Sequence, residues 1–100
     1  MDEFSEYELY ILNKLAVHSW WCNKHVSRDD LIKGRLKSDS HLYKEAIDIL
    51  VKNKIVSQYK SQSRNDICLP KGHRDLVINT LKNNVGKYDF IDPTYFKRIK

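Results

Sequence analysis

The segment from Ser27 to Leu69 constrains the fold of this chain more than any other part of the sequence. Apolar residues recur at helical spacing in its first half, and two short stretches rich in β-branched and aromatic residues follow. This pattern predicts a helix, a turn, a second helix and then two strands around a polar, basic loop. The predicted bounds are a short helix beginning at Ser27, a helix at 39–53, strands at 55–59 and 66–69, and a loop at 60–65.

Capping residues mark the start of both helices. Ser27 is a good N-cap, and Asp29 and Asp30 place negative charge in the first turn, where the helix dipole favours it. Asp39 or Ser40 caps the second helix, which is amphipathic. Its apolar face carries Leu42, Tyr43, Ala46, Ile47, Ile49 and Leu50. Its opposite face carries His41, Lys44, Glu45, Asp48 and Lys52.

Two further helices are predicted outside this segment, at 3–23 and 73–83. The first of them carries two apolar stripes about a quarter turn apart. The core stripe is formed by Ile11, Leu12 and Leu15, and the second stripe by Tyr7, Tyr10, Val17 and Trp21. One helix of a small domain rarely buries two stripes against its own core, so a tail or another subunit should cover the second.

The C-terminal segment at 85–100 is both aromatic and basic. A disordered tail is usually poor in aromatic residues, so we expect this one to dock on the rest of the chain or on a partner subunit. The chain therefore divides into a folded domain at 1–84 and a docking tail at 85–100. The uncovered stripe of the first helix and the aromatic tail together predict a homodimer formed through these two segments.

The composition fits one small domain with a basic surface. The chain has 100 residues, and no apolar stretch approaches the roughly 20 residues that span a bilayer, so no membrane association is expected. The net charge is +5 and is unevenly placed, because residues 1–26 carry two bases and four acids. The positive charge thus lies on the later segments. Phosphate contacts supply most non-specific affinity for nucleic acid, so this distribution favours a DNA-binding protein.

The cysteines and the N-terminus suggest the compartment. The first residues are acidic, which is the wrong charge for a signal peptide. Cys22 and Cys68 lie far apart in the sequence. We therefore expect the protein to be cytoplasmic and its two thiols to be reduced and buried.

The helical segments resemble winged helix-turn-helix DNA-binding proteins, in the style of small archaeal and archaeal-virus members of that superfamily. The resemblance rests on VSRDDL at 26–31 and KEAIDILVKNKIV at 44–56, and the strand at 66–70 is similar to the returning wing strand. Glycine is common in the family at the turn after the second helix, whereas this chain has Asn53 or Lys54 there. Over about residues 6–83, the resemblance implies a mainly α fold with a small β-hairpin wing.

The resemblance also implies an interface with double-stranded DNA. The helix at 39–53 would enter a major groove, and the wing would contact phosphates or a minor groove. The implied contacts of the helix are Ser38, Ser40, His41, Tyr43, Lys44, Asp48 and Lys52. The implied contacts on and beside the wing are Lys60, Arg64 and Arg28. The acids depart from a basic pattern, but Glu45 and Asp48 can accept hydrogen bonds from cytosine or pair with neighbouring lysines.

The expected function is therefore double-stranded DNA binding, in a transcriptional regulator that acts by occupancy. An alternative is a winged-helix module that docks on another protein in a transcription or replication assembly. The exposed face of the second helix discriminates between the two. If Glu45 and Asp48 neutralise Lys44 and Lys52, that face is close to neutral and protein binding gains support.

Other kinds of chemistry have less support in the sequence. His18, Cys22 and His25 have a spacing compatible with zinc ligation if the first helix continues to residue 25. A regulator that responds to metal or redox through this set, or through Cys22 and Cys68, is the third alternative. No Gly-rich phosphate loop, carboxylate pair or nucleophile motif is visible, so we expect no catalytic residue, cofactor or metal.

Overall fold

A computed structural model describes residues 4–33, 37–60 and 65–97. The described chain is mainly helical, with a small antiparallel sheet. In chain order, its elements are α1 (Glu6–Val17), β1 (Val26–Ser27), α2 (Arg28–Leu31), α3 (Ser40–Lys52), β2 (Ser57–Lys60), β3 (Asn65–Cys68), α4 (Arg74–Asn83) and α5 (Pro93–Lys97). Short 3₁₀ turns at Lys37–Asp39 and Lys71–His73 lead into α3 and α4.

The sheet has the strand order β1-β3-β2, with both neighbouring pairs antiparallel. Ile67 lies between Val26 and Gln58, and Asp66 lies between Ser27 and Tyr59. Since side chains alternate along a strand, the first row faces the core and the second faces outward. The hairpin of β2 and β3 was predicted from the sequence. Strand β1 was not, because two residues are too few for alternation to be recognised.

The core lies where α1, α3 and α4 meet the inner face of the sheet. The predicted core stripe of α1, Ile11, Leu12 and Leu15, is fully buried. Packed against it are Ile47 and Leu50 from α3, Leu81 from α4 and Ile67 from β3. Ile49, which the sequence placed on the apolar face of α3, is 41% exposed instead. The helix is turned so that Tyr43, Ala46, Ile47 and Leu50 face inward.

Helices α1 and α3 end in the same way. In each, the residue after the C-cap is left-handed without being glycine: Ser19 has φ 61° and Lys54 has φ 63°. The amides of Trp20 and Ile55 donate to the carbonyls of Leu15 and Leu50, which is the long bond of a Schellman motif. This motif stops α1 at Val17 rather than at residue 23. The segment that follows, 18–25, is therefore a loop instead of a helical continuation.

The Schellman turn of α3 gives a first stability prediction. Lys54→Gly removes the Cβ that disfavours φ 63°, and we expect it to stabilise the fold by about 0.5–1 kcal/mol. For a domain of this size, that gain corresponds to a rise of about 2–8 °C in Tm. Thermal unfolding followed by circular dichroism measures it. Lys54→Ala is the matched control, because it removes the same charge and keeps the Cβ. Equal stability of the two variants would contradict the prediction.

The two cysteines form a disulfide, which corrects the expectation that they are reduced. Cys22 lies in the 18–25 loop, and Cys68 is the last residue of β3. Their Cα atoms are 4.8 Å apart. Two features bring them together: the early end of α1, and a hydrogen bond of 2.8 Å from the Leu69 amide to the Trp20 carbonyl. The loop thereby lies against the outer side of the sheet, where Cys68 is fully buried.

The described part of the tail packs on α1 of the same chain. Ile91 is 2% exposed, and the rings of Tyr10 and Phe90 lie 5.5 Å apart. The Asn13 amide donates to the Phe90 carbonyl over 2.9 Å, and the Tyr95 hydroxyl donates to the Ala16 carbonyl over 3.1 Å. The tail thus covers Tyr10, a central part of the second stripe. Val17 of the same stripe is still 39% exposed, so the tail covers part of the stripe and the homodimer stays a prediction.

Candidate nucleic-acid interface

The outward face of α3 carries a mixed set of charged side chains. His41, Lys44, Glu45, Asp48 and Lys52 are all exposed, as the amphipathic pattern predicted. Ile49 adds a large apolar side chain to this face. Helix α3 is 13 residues long, and an α-helix of this kind fits the width of a DNA major groove.

The acids of this face do not neutralise its lysines. Asp48 pairs with Arg28, with 2.8 Å between the carboxylate and guanidinium atoms. Among the residues that the structure describes, neither Lys44 nor Lys52 forms an ion pair. Both ammonium groups are therefore available to an external anion. With Asp48 satisfied by Arg28, the remaining exposed charges of α3 are the two lysines and Glu45.

Arg28 has a different position from the one predicted for a DNA contact. Its side chain is only 18% exposed, and its guanidinium donates to the Gln58 side chain over 2.8 Å and to the Lys44 carbonyl over 3.1 Å. Together with the Asp48 pair, these bonds join the start of α2 to α3 and to β2. Arg28 thus fixes α3 relative to the hairpin, and its donors are directed at the protein.

Tyr43, another predicted DNA contact, lies in the core. It is 3% exposed, because its ring packs edge-on against Tyr7 at 5.0 Å and Tyr10 at 5.1 Å. This cluster joins α1 to the start of α3 and leaves Tyr43 no surface for a duplex. Desolvation raises the pKa of the Tyr7 phenol above its ordinary value, and the nearby carboxylates of Asp39 and Glu6 raise this pKa further.

The start of α3 places two more predicted contacts at the surface. Ser38 is exposed in the 3₁₀ turn, and Ser40 is half-buried as the first residue of α3. Asp39 is the N-cap residue, yet its side chain makes no capping hydrogen bond. Both serines lie beside the exposed His41, at the end of α3 that carries the positive pole of the helix dipole.

The hairpin contributes a cation and an aromatic stack. Lys60 ends β2 and is exposed, whereas Arg64 lies outside the described residues. Tyr59 is 47% exposed, and its ring stacks on His25 at 4.5 Å with 18° between the planes. Sequence reasoning missed this pair because His25 lies in the 18–25 loop and reaches the outer face of the sheet only after α1 has ended.

The structure gives the zinc alternative no support. Cys22 is bonded to Cys68, and the rings of His18 and His25 pack on Trp20 and Tyr59. Over the described ranges, no three His, Cys, Asp or Glu side chains form a group that could hold a metal ion. The helical spacing that suggested the site does not exist, because α1 ends at Val17.

None of the described helices has both the length and the apolar character that crossing a membrane requires.

Comparisons with known proteins identify no family for this chain. The chain matches no protein-family model, no curated protein and no solved structure.

Proposed function

We propose that this protein binds double-stranded DNA as a winged helix-turn-helix regulator, with α3 in the major groove and the β2–β3 hairpin beside it. The proposal rests on the charged side chains of α3 and on which of them form ion pairs. Lys44 and Lys52 are exposed, and neither pairs with a described residue. Arg28 compensates Asp48, so the acids of the helix do not cancel the attraction of the lysines for phosphate.

The arrangement of the elements supports the same proposal. The helices α2 and α3 are followed by the β2–β3 hairpin. The Arg28 side chain at the start of α2 donates hydrogen bonds to both α3 and β2. A fixed angle between helix and hairpin favours simultaneous contact with a groove and with the flanking backbone. Lys60 is exposed at the end of β2, where the predicted wing begins. The protein would then regulate transcription by occupying its site.

Each exposed group of α3 has a role in this proposal. Lys44 and Lys52 contact phosphates and set the register of the helix on the duplex. Glu45 is the acceptor that suits a cytosine amino group, and His41 lies one turn before it on the same face. Base recognition thus depends on the centre of the face, and affinity depends on its lysines.

Salt-dependent binding tests the proposal. Fluorescence anisotropy with a duplex of random sequence, at salt concentrations from about 50 to about 200 mM, gives the slope of log K against log salt. We expect Lys44→Ala with Lys52→Ala to weaken binding to every duplex and to reduce this slope by about two units. Selection of preferred sites from the bound fraction then measures sequence preference.

The matched control for this experiment removes two charges elsewhere. Lys71→Ala with Lys82→Ala changes the net charge equally, on the 3₁₀ turn and on α4, which packs against α1. If both double variants lose affinity to the same extent, binding depends on net charge alone and α3 is not the interface. Absence of wild-type binding at the lowest salt concentration would reject DNA as the partner.

A second candidate function has one specific observation in its favour. Ile49 is 41% exposed at the edge of the charged face of α3, one turn after Glu45. An exposed apolar side chain bordered by charged ones is typical of a protein-binding surface. Absence of duplex binding by the wild-type chain at the lowest salt concentration would favour this module, and Ile49→Asp would then be the variant that abolishes binding to the protein partner.

A further inference from the structure

We propose that Cys22 is a thiol-exchange site, at which a low-molecular-weight thiol opens the disulfide and releases the 18–25 loop from the sheet. The exchange itself does not depend on the proposed function, whereas its effect on DNA binding does. The inference rests on three features of the described residues: unequal exposure of the two cysteines, the bonds that hold the loop, and its continuity with the DNA-binding elements.

The two cysteines differ in exposure. Cys68 is fully buried at the end of β3. Cys22 is half-buried in the loop itself. Thiol–disulfide exchange requires a thiolate to reach one sulfur, and access decides which sulfur is attacked. Attack therefore occurs at Cys22, and Cys68 is the leaving group.

The reaction is a balanced two-step exchange. A thiolate such as that of glutathione forms a bond to Cys22 Sγ, the Cys22–Cys68 bond breaks, and Cys68 leaves with the electron pair and takes a proton from solvent. A second thiolate then attacks the outer sulfur of the mixed disulfide and releases Cys22 and glutathione disulfide. The reverse sequence, with glutathione disulfide as the oxidant, restores the bridge.

The disulfide holds the loop in a conformation that the backbone alone disfavours. Cys22 has φ 61°, in the left-handed region that residues with a Cβ rarely adopt. Among the described residues, other contacts also hold the loop: the Trp20 carbonyl accepts from Leu69, Trp20 and Trp21 pack against the core, and His25 stacks on Tyr59. Opening the bridge lets Cys22 leave this conformation and weakens these contacts together.

The loop is continuous with the elements that present α3. His25 stacks on β2, and Val26 and Ser27 form β1, which pairs with β3. Ser27 is also the N-cap of α2 and accepts from the Asp30 amide over 3.1 Å. The next residue is Arg28, whose guanidinium binds α3 and β2. Cys22 is thus connected to the proposed interface by residues 23–28, the last of which is Arg28.

Mapping of the exchange tests the site directly. The oxidised protein is incubated with reduced glutathione, quenched with N-ethylmaleimide and digested under non-reducing conditions for mass spectrometry. We expect glutathione on Cys22 and the maleimide on Cys68. Glutathione found on Cys68, or no exchange until the protein is unfolded in urea, would overturn the proposal.

A pair of single variants provides the matched control. In Cys68→Ala, the thiol of Cys22 should react with glutathione disulfide about ten times faster than the thiol of Cys68 does in Cys22→Ala, because exposure controls the rate. Circular dichroism establishes that both variants are folded at the temperature used. Equal rates in two folded variants would contradict the assignment, and if either is unfolded, the mapping of the wild-type chain decides.

Duplex binding measures the consequence of exchange. We expect the glutathione adduct on Cys22 to bind a duplex about tenfold more weakly than the oxidised protein, and its Leu69 amide to exchange hydrogen faster. The Cys22→Ser, Cys68→Ala variant should not respond to glutathione. Equal affinity of adduct and oxidised protein would overturn the coupling. If neither form binds DNA, the proposed function fails while the mapped exchange site stands.

Discussion

Removal of the Cys22–Cys68 disulfide is expected to lower the free energy of unfolding by about 4 kcal/mol, the largest effect of any change considered for this chain. The bridge joins residues 46 apart, and a loop of that length restricts the unfolded chain by about this amount. At about 4–8 °C per kcal/mol, Tm should fall by roughly 15–30 °C. Since a domain of this size has a total stability of about 5–15 kcal/mol, a large part of it depends on one bond.

The variant for this test is Cys22→Ser with Cys68→Ala. Alanine is chosen at position 68 because the residue is fully buried, and a serine hydroxyl there would add an unrelated cost. Urea unfolding with and without reductant gives the comparison. Reductant should destabilise the wild-type chain by a similar amount and leave the variant unchanged. A difference below about 1 kcal/mol between oxidised and reduced protein would show that the bridge does not restrain the unfolded chain.

The pairing of Cys22 with Cys68 could not be predicted from local sequence patterns. The predicted first helix at 3–23 includes Cys22, because its neighbours keep helical spacing. The Schellman turn at Ser19 ends the helix at Val17. A serine does not predict a left-handed backbone conformation as a glycine does. The pairing then follows from the tertiary position of the loop, which the Leu69–Trp20 hydrogen bond helps to fix.

Elements with strong periodicity were predicted well. Helix α3 was expected at 39–53 and spans Ser40–Lys52, and α4 was expected at 73–83 and spans Arg74–Asn83. Their apolar residues repeat at helical spacing, and polar residues stand at their ends. The hairpin strands also lie within two residues of their predicted bounds. Strand β1 and helix α5 were missed, since two and five residues carry too little pattern.

The candidate interface was predictable to the extent that exposure follows from a helical wheel. The wheel placed Lys44, Asp48 and Lys52 outside, and they are exposed. It could not decide the position of Tyr43, which was counted both in the core and near the duplex. Nor could it reveal that Arg28, 20 residues before Asp48, would bond to it. Contacts between elements depend on packing geometry, which single-sequence periodicity does not contain.

Loss of the Arg28 guanidinium should lower both the free energy of unfolding and the affinity of the proposed interface for a duplex. Arg28→Leu keeps much of the side-chain volume but leaves the Gln58 oxygen, the Lys44 carbonyl and Asp48 without their donor. Because Asp48 is 66% exposed, water replaces much of that pair. We therefore expect a loss of about 2 kcal/mol, mainly from the two other bonds. Duplex affinity should fall about tenfold, since α3 loses its polar bonds to the hairpin and is held there less firmly by core packing alone.

Arg28→Lys separates this positioning role from a direct phosphate contact. A lysine keeps the charge but cannot form the forked bonds to α3 and β2. If Arg28 positions α3, the lysine variant should remain less stable than the wild type and bind duplexes more weakly with an unchanged salt slope. If Arg28 contacts phosphate, the lysine should restore affinity, and Arg28→Leu should lower the slope by about one unit. Anisotropy titrations and urea unfolding of the same two variants therefore decide between a residue that holds α3 in place and one that touches the DNA itself.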